Sequence, residues 1–112
     1  METTRQSKVS RLLQRDLGGI FQRESNRLFG GAMITVTKVH VTRDLAIAKV
    51  YLSLFATEDK DMLIESVREH SKEIRYKLGQ QIGKQVRVIP ELKFYHDDSL
   101  DYIENIEKLL DE

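Results

Sequence analysis

Helices laid on one face of a three-stranded sheet, a two-layer α+β domain, is the architecture this 112-residue sequence predicts. Three observations predict it. Between Met62 and Tyr95 a long amphipathic helical stripe feeds a β-branched run. Ahead of it stand two β-rich runs joined by a short link. A basic, amphipathic segment opens the chain. The expected order is helix, strand, strand, helix, helix end, strand and short helix.

The first helix is expected over residues 4–29. Val9, Leu13, Leu17, Ile20 and Phe21 fall on one side at about 100° per residue. Arg5, Lys8, Arg11 and Arg15 gather on another side, as a phosphate-facing surface or an ordinary wet face. Thr3, Thr4 or Ser7 can cap the start. Gly18-Gly19 marks a weak point, since each glycine costs roughly 1 kcal/mol against alanine inside a helix. Phe29-Gly30-Gly31 is a break. Residues 33–41 form a strand whose apolar parity changes between Ile34/Val36 and Val39/Val41, which predicts a bulge, a twist or cover on both faces. Thr42-Arg43-Asp44-Leu45 turns into a second strand, 46–55, with Ala46, Ala48, Val50, Leu52 and Leu54 on one face.

The central stretch reads as one long helix with Leu63, Val67, Ile74, Leu78 and Ile82 on its apolar stripe. His70-Ser71-Lys72 interrupts that stripe, and Gly79 and Gly83 loosen its end. Glu65 and Glu69 stand three residues before Arg68 and Lys72, so surface ion pairing is the plain alternative for these cations. A strand is expected over Val86 to Tyr95, with Pro90 placing it at an edge or a bulge. Asp97-Asp98-Ser99 then caps a short acidic helix with Leu100, Ile103, Ile106 and Leu110 as its apolar side. Residues 1–96 are expected to form the domain and 97–112 an acidic tail of the same domain.

A chain of this length, 40% hydrophobic, buries one core without staples. It has no cysteine, which excludes a disulfide framework or a thiolate metal site. No apolar run approaches the roughly 18 residues of a membrane span, and no secretory signal opens the chain, so a cytoplasmic protein is expected. Net charge is zero, yet residues 1–93 carry +6 and residues 94–112 carry −6. A basic body suggests an anionic partner. His40, His70 and His96 have no second ligand at metal-binding spacing, and no serine has a nearby base. No catalytic residue, metal or cofactor is expected.

Arg43-Asp44-Leu45-Ala46-Ile47-Ala48-Lys49-Val50-Tyr51-Leu52 resembles the strand-turn-strand signature of the ribosome-binding factor A family. Ile74-Arg75, Leu78-Gly79, Arg87-Val88-Ile89-Pro90-Glu91-Leu92-Lys93-Phe94 and Asp97-Asp98-Ser99-Leu100 resemble that family's C-terminal half, and Lys8-Val9 fits its first helix more loosely. The resemblance implies a type II KH-like domain, α-β-β-α-α-β, with a three-stranded mixed sheet. It also implies a non-enzymatic factor in late maturation of the small ribosomal subunit, binding the immature 30S particle and the 5′ region of its 16S rRNA, with a role in growth in the cold. Ordinary KH domains clamp nucleic acid with a Gly-x-x-Gly loop. The family replaces it with an Ala-x-Gly kink. Here the matching positions are His70, Ser71 and Lys72, which lack that alanine and glycine. A shallower kink, or one carried by a Ser71 side-chain bond to the preceding turn, is expected.

The cations expected to hold RNA phosphates are Lys8, Arg11, Arg15, Arg43, Lys72, Arg75 and Lys84. Exposed aromatics are few, so base stacking is expected to be minor. A monomer with no small-molecule substrate and no membrane contact is expected. Two other readings stand beside this one: a protein–protein adaptor using the hairpin and acidic helix, and a KH-like RNA module unrelated to ribosomes.

Overall fold

The structure, a computed structural model, describes residues 3–55 and 57–97. Helix α1 (Thr4–Leu28) leads into strands β1 (Met33–Val41) and β2 (Ile47–Phe55). Helices α2 (Lys60–Glu69) and α3 (Ser71–Ile82) follow, then strand β3 (Glu91–His96). The sheet order is β1-β2-β3, with β1 antiparallel and β3 parallel to β2. A parallel neighbour needs a crossover, and α2 and α3 supply it. This is the mixed sheet and the α-β-β-α-α-β order of a type II KH-like domain.

Helix α1 starts on a reciprocal cap. The Thr3 hydroxyl accepts from the Gln6 N–H at 3.1 Å, and Gln6 Oε1 accepts from the Thr3 N–H at 2.8 Å. Gln6 Nε2 also donates to the Val41 carbonyl at 2.9 Å, which ties the helix start to the end of β1. The helix runs unbroken through Gly18-Gly19, because Leu13, Leu17, Ile20 and Phe21 on either side are buried against the sheet. Tertiary packing of this face outweighs two poor helix formers. Gly30 and Gly31, at φ 61° and 84°, stop the helix, and the Gly31 N–H donates to the Ser25 carbonyl at 2.9 Å.

The parity change in β1 is a bulge. Pairing with β2 shifts between Val36 and Lys38, leaving Thr37 as the extra residue. Ile34 and Val36 before the bulge, and Val39 and Val41 after it, therefore all reach the same core. That core also holds Ala48, Val50, Leu52, Leu54, Leu92 and Phe94 from the sheet, and Leu63, Val67, Ile74, Leu78 and Ile82 from the helices. Phe94 meets Phe21 edge-on, ring centres 5.9 Å apart. Fully burying one leucine-sized side chain contributes roughly 1.5–3 kcal/mol, so this shared face dominates the stability.

Two expectations are corrected. The central helix is two helices that meet at His70 (φ −94°, ψ 10°). This bridge conformation is open to any L-residue, so the break needs no glycine. The His70 ring, not Ser71, makes the bond: Nδ1 donates to the Ser66 carbonyl at 2.8 Å, and the ring packs edge-on against Phe29. The second correction concerns the last strand, which begins at Glu91 and not at Val86. The Arg75 guanidinium takes the Ile89 and Pro90 carbonyls, at 2.6 and 3.2 Å, and Pro90 has no N–H to offer a ladder. Val88, ahead of the strand, is 64% exposed, whereas Leu92 and Phe94 within it are buried. The ladder starts where the Glu91 N–H donates to the Ala46 carbonyl. The acidic helix expected after Asp97 lies outside the described residues.

Candidate nucleic-acid interface

The seven cations expected to meet phosphates are all exposed, and the fold sorts them into groups. Lys8 of α1 and Arg43 of the β1–β2 turn line one cleft of about 630 Å³. The topology brings Arg5 from the first turn of α1 and Arg87 from the segment before β3 to the same place. None of these four makes an ion pair among the described residues. Among the described residues, four cations against the one Asp44 carboxylate leave a net positive charge around this hollow.

The turn that carries Arg43 is held rigidly. Asp44 Oδ1 accepts from the Thr42 hydroxyl at 2.7 Å and from the Ala46 N–H at 3.1 Å. The Leu45 N–H donates to the Thr42 carbonyl at 2.8 Å and stabilises Leu45 at φ 61°, a region costly for a branched side chain. These bonds, the Thr42 hydroxyl first, hold the Asp44 carboxyl below the usual aspartate range.

Lys72 and Arg75 line a second groove with Tyr76, Gly79, Gln80 and Ile89. Lys72 stands in the first turn of α3, next to a helix start that no side chain caps. Uncapped N–H groups and a lysine at a helix N-terminus favour an anion. The Arg75 guanidinium also anchors the 83–90 segment through the two carbonyls already described. Tyr76 is 67% exposed beside Lys72, an aromatic surface that the sequence reading did not single out. Its helical position, two residues after the buried Ile74, was the available signal. Ile89 borders this groove and Gln85 to Val88 border the cleft, so the 83–90 segment separates the two.

The remaining cations lie apart. Arg15 pairs with Asp16 at 3.3 Å and lines a third hollow with Gly18 and Gly19. Arg11 and Lys84 are exposed but line none of these three hollows. Arg68 behaves as the plain ion-pairing alternative predicts: it meets Glu65 at 2.7 Å and donates to the Phe94 carbonyl. Farther along α1, Arg27 bridges Glu24 and Glu73, and Lys77 meets Glu24 at 3.0 Å. The bond from Lys77, then that from Arg27, lowers the Glu24 pKa. This cluster joins α1 to α3 and is spent on the fold. Arg5 and Arg87 were missed as site residues because nothing local in the sequence brings the segment before β3 to the start of α1.

A family model described as ribosome-binding factor A matches residues 5–110. Ribosome-binding factor A of Cytophaga hutchinsonii is 44% identical over 110 residues, covering 98% of this chain and 83% of its own. That of Christiangramia forsetii is 46% identical over 110 residues, covering 96% and 82%. The crystal structure of the Thermus thermophilus ribosome-binding factor A superposes with a TM-score of 0.66 at 22% identity, covering 81% of this chain and 94% of that one. A homology model of the Thermus thermophilus ribosome-binding factor A, fitted into an electron-microscopy map of its 30S complex, gives a TM-score of 0.61 at 23% identity, covering 78% and 89%. At such identities the superpositions speak to the fold, and they match the one described above.

Proposed function

This chain belongs to the ribosome-binding factor A family, and from that membership we propose that it binds the immature 30S subunit and assists its late maturation. The observation that carries the reading is the family match over nearly the whole chain, at 44% and 46% identity to two curated relatives. The geometry supports a mechanism of positioning. Lys8, Arg43, Arg5 and Arg87 around the cleft, and Lys72 at the start of α3, hold rRNA phosphates, while the sheet keeps them in fixed relation. Arg11, Arg15 and Lys84 add long-range attraction. Arg75 contributes by anchoring the segment that bears Arg87.

In this reading no bond is made or broken. Residues 1–96 form the RNA-binding domain and 97–112 an acidic tail. The protein works as a monomer on the 16S rRNA, near its 5′ region, in the cytoplasm where subunits are assembled, and supports assembly in the cold. The test is sedimentation of tagged protein with ribosomal particles in rising salt. Co-migration with free 30S subunits, falling as salt rises, is the expected outcome. Migration with whole ribosomes, or 30S binding that ignores salt, would overturn the phosphate-driven contact. Removal of residues 97–112 separates this from an adaptor role, since an adaptor loses its partner and an RNA binder keeps 30S.

A further inference from the structure

The four-cation cleft has a feature that phosphate binding does not use. Its floor is apolar: Val9, Leu45 and Val86 pack against the core from this side. Val88 stands at its edge, 64% exposed, on a segment anchored by Arg75. A phosphate group is small, hydrated and repelled by apolar lining. It would occupy a small part of about 630 Å³, a volume within the roughly 300–1,000 Å³ of small-molecule sites. Asp44 also lines the cleft, ionised at neutral pH, and would repel a phosphate placed against it.

An unpaired nucleotide suits the apolar, the cationic and the acidic parts of this lining together. Its base lies on valine and leucine, its phosphates meet Arg5, Lys8, Arg43 and Arg87, and N–H groups on the base edge face the Asp44 acceptor. The arginine planes at the rim can stack on the base where no aromatic ring is present. We propose that this cleft is a pocket for one extruded rRNA nucleotide, so that the protein reads an unpaired base as well as the charge of the backbone. The proposal rests on the ribosomal reading above and adds to it a specific class of RNA feature, a bulged or single-stranded position. Duplex RNA cannot present a base to the floor without unpairing it.

The chain has no cysteine, so a single Val88→Cys variant carries one label. The variant, bearing a benzophenone photocrosslinker, is irradiated on purified 30S subunits and adducts are mapped by reverse-transcription stops. The expected result is a stop at one unpaired position, whose base the wild-type protein shields from chemical probing. An Arg5→Ala/Arg87→Ala double variant, with an unchanged melting curve, should lose that shielding and bind 30S about tenfold more weakly or worse. Adducts spread along a duplex, adducts on a ribosomal protein, or no adduct from protein that still sediments with 30S would overturn the nucleotide pocket alone. Loss of sedimentation by the wild-type protein would overturn the ribosomal reading and this pocket together.

Discussion

Single residues show where the fold is satisfied and where it is not. The Ser10 hydroxyl is buried on α1 without a hydrogen-bond partner. Removing such a group relieves its desolvation cost, so Ser10→Ala should hold or raise stability, by up to about 1 kcal/mol. Urea denaturation measures it, and a marked loss would mean that the hydroxyl has a partner after all. Asp44 carries the opposite sign. Its folded pKa is lowered, by the Thr42 hydroxyl and then by the Ala46 N–H. The stability it contributes is therefore present above the unfolded aspartate value near about 3.9 and is lost as pH falls through the folded value. Asp44→Ala should melt below wild type at neutral pH, and the gap should close under acid. A gap that stays constant from neutral pH to pH ~3 would show that the carboxylate charge contributes nothing. Both effects need the three-dimensional neighbours. A serine on a helical repeat and an aspartate in a turn look ordinary in the sequence.

At the scale of elements, the glycines separate propensity from packing. Gly18 lies inside α1, and a Cβ there would meet nothing within 4 Å. Gly18→Ala should raise stability by about 0.5–1 kcal/mol through helix propensity and a less flexible unfolded chain. Gly83 closes α3, where a Cβ would come within 2.6 Å of the Gly79 carbonyl oxygen. Gly83→Ala should destabilise, and thermal melting of the two variants should move in opposite directions. Movement in the same direction would contradict the geometry of one of them. The α2–α3 break belongs to this scale too. Periodicity carried the stripe from Leu63 to Ile82 because both helices bury the same face. It could not show that His70 ends one helix and starts the next, since that depends on the ring's bond to Ser66 and its contact with Phe29. Similarly, the β-branched run from Val86 read as strand, yet the Arg75 bonds to Ile89 and Pro90 hold the segment off the sheet.

For the molecule as a whole, charge is the quantity on which the proposed function depends. Each phosphate neutralised should add a log–log salt slope of about −0.7 to −0.9. A Lys8→Ala/Arg43→Ala variant should therefore weaken 30S binding and flatten the slope by roughly 1.4–1.8. A slope unchanged within error would mean that neither side chain meets a phosphate. Lys8 was legible as a cation on the basic side of the first helix, and Arg43 as a cation in the turn between the strands. Their shared cleft was not, because it joins α1, the β1–β2 turn and the segment before β3.

What the sequence by itself determined is the first helix, the hairpin after it, the apolar stripe from Leu63 to Ile82, a change of apolar parity inside β1 and, through its resemblance, the family. The elements and stripes are written in spacings between near neighbours, and the match to the family spans residues 5–110. What only the tertiary structure decided is which exposed cations share a hollow, that Arg75 is spent on main-chain carbonyls, and that Val88 faces water. The physical reason is that periodicity reports which side of an element is apolar. The joining of polar sides from distant segments is set by how the helices and strands pack, and no local spacing encodes it.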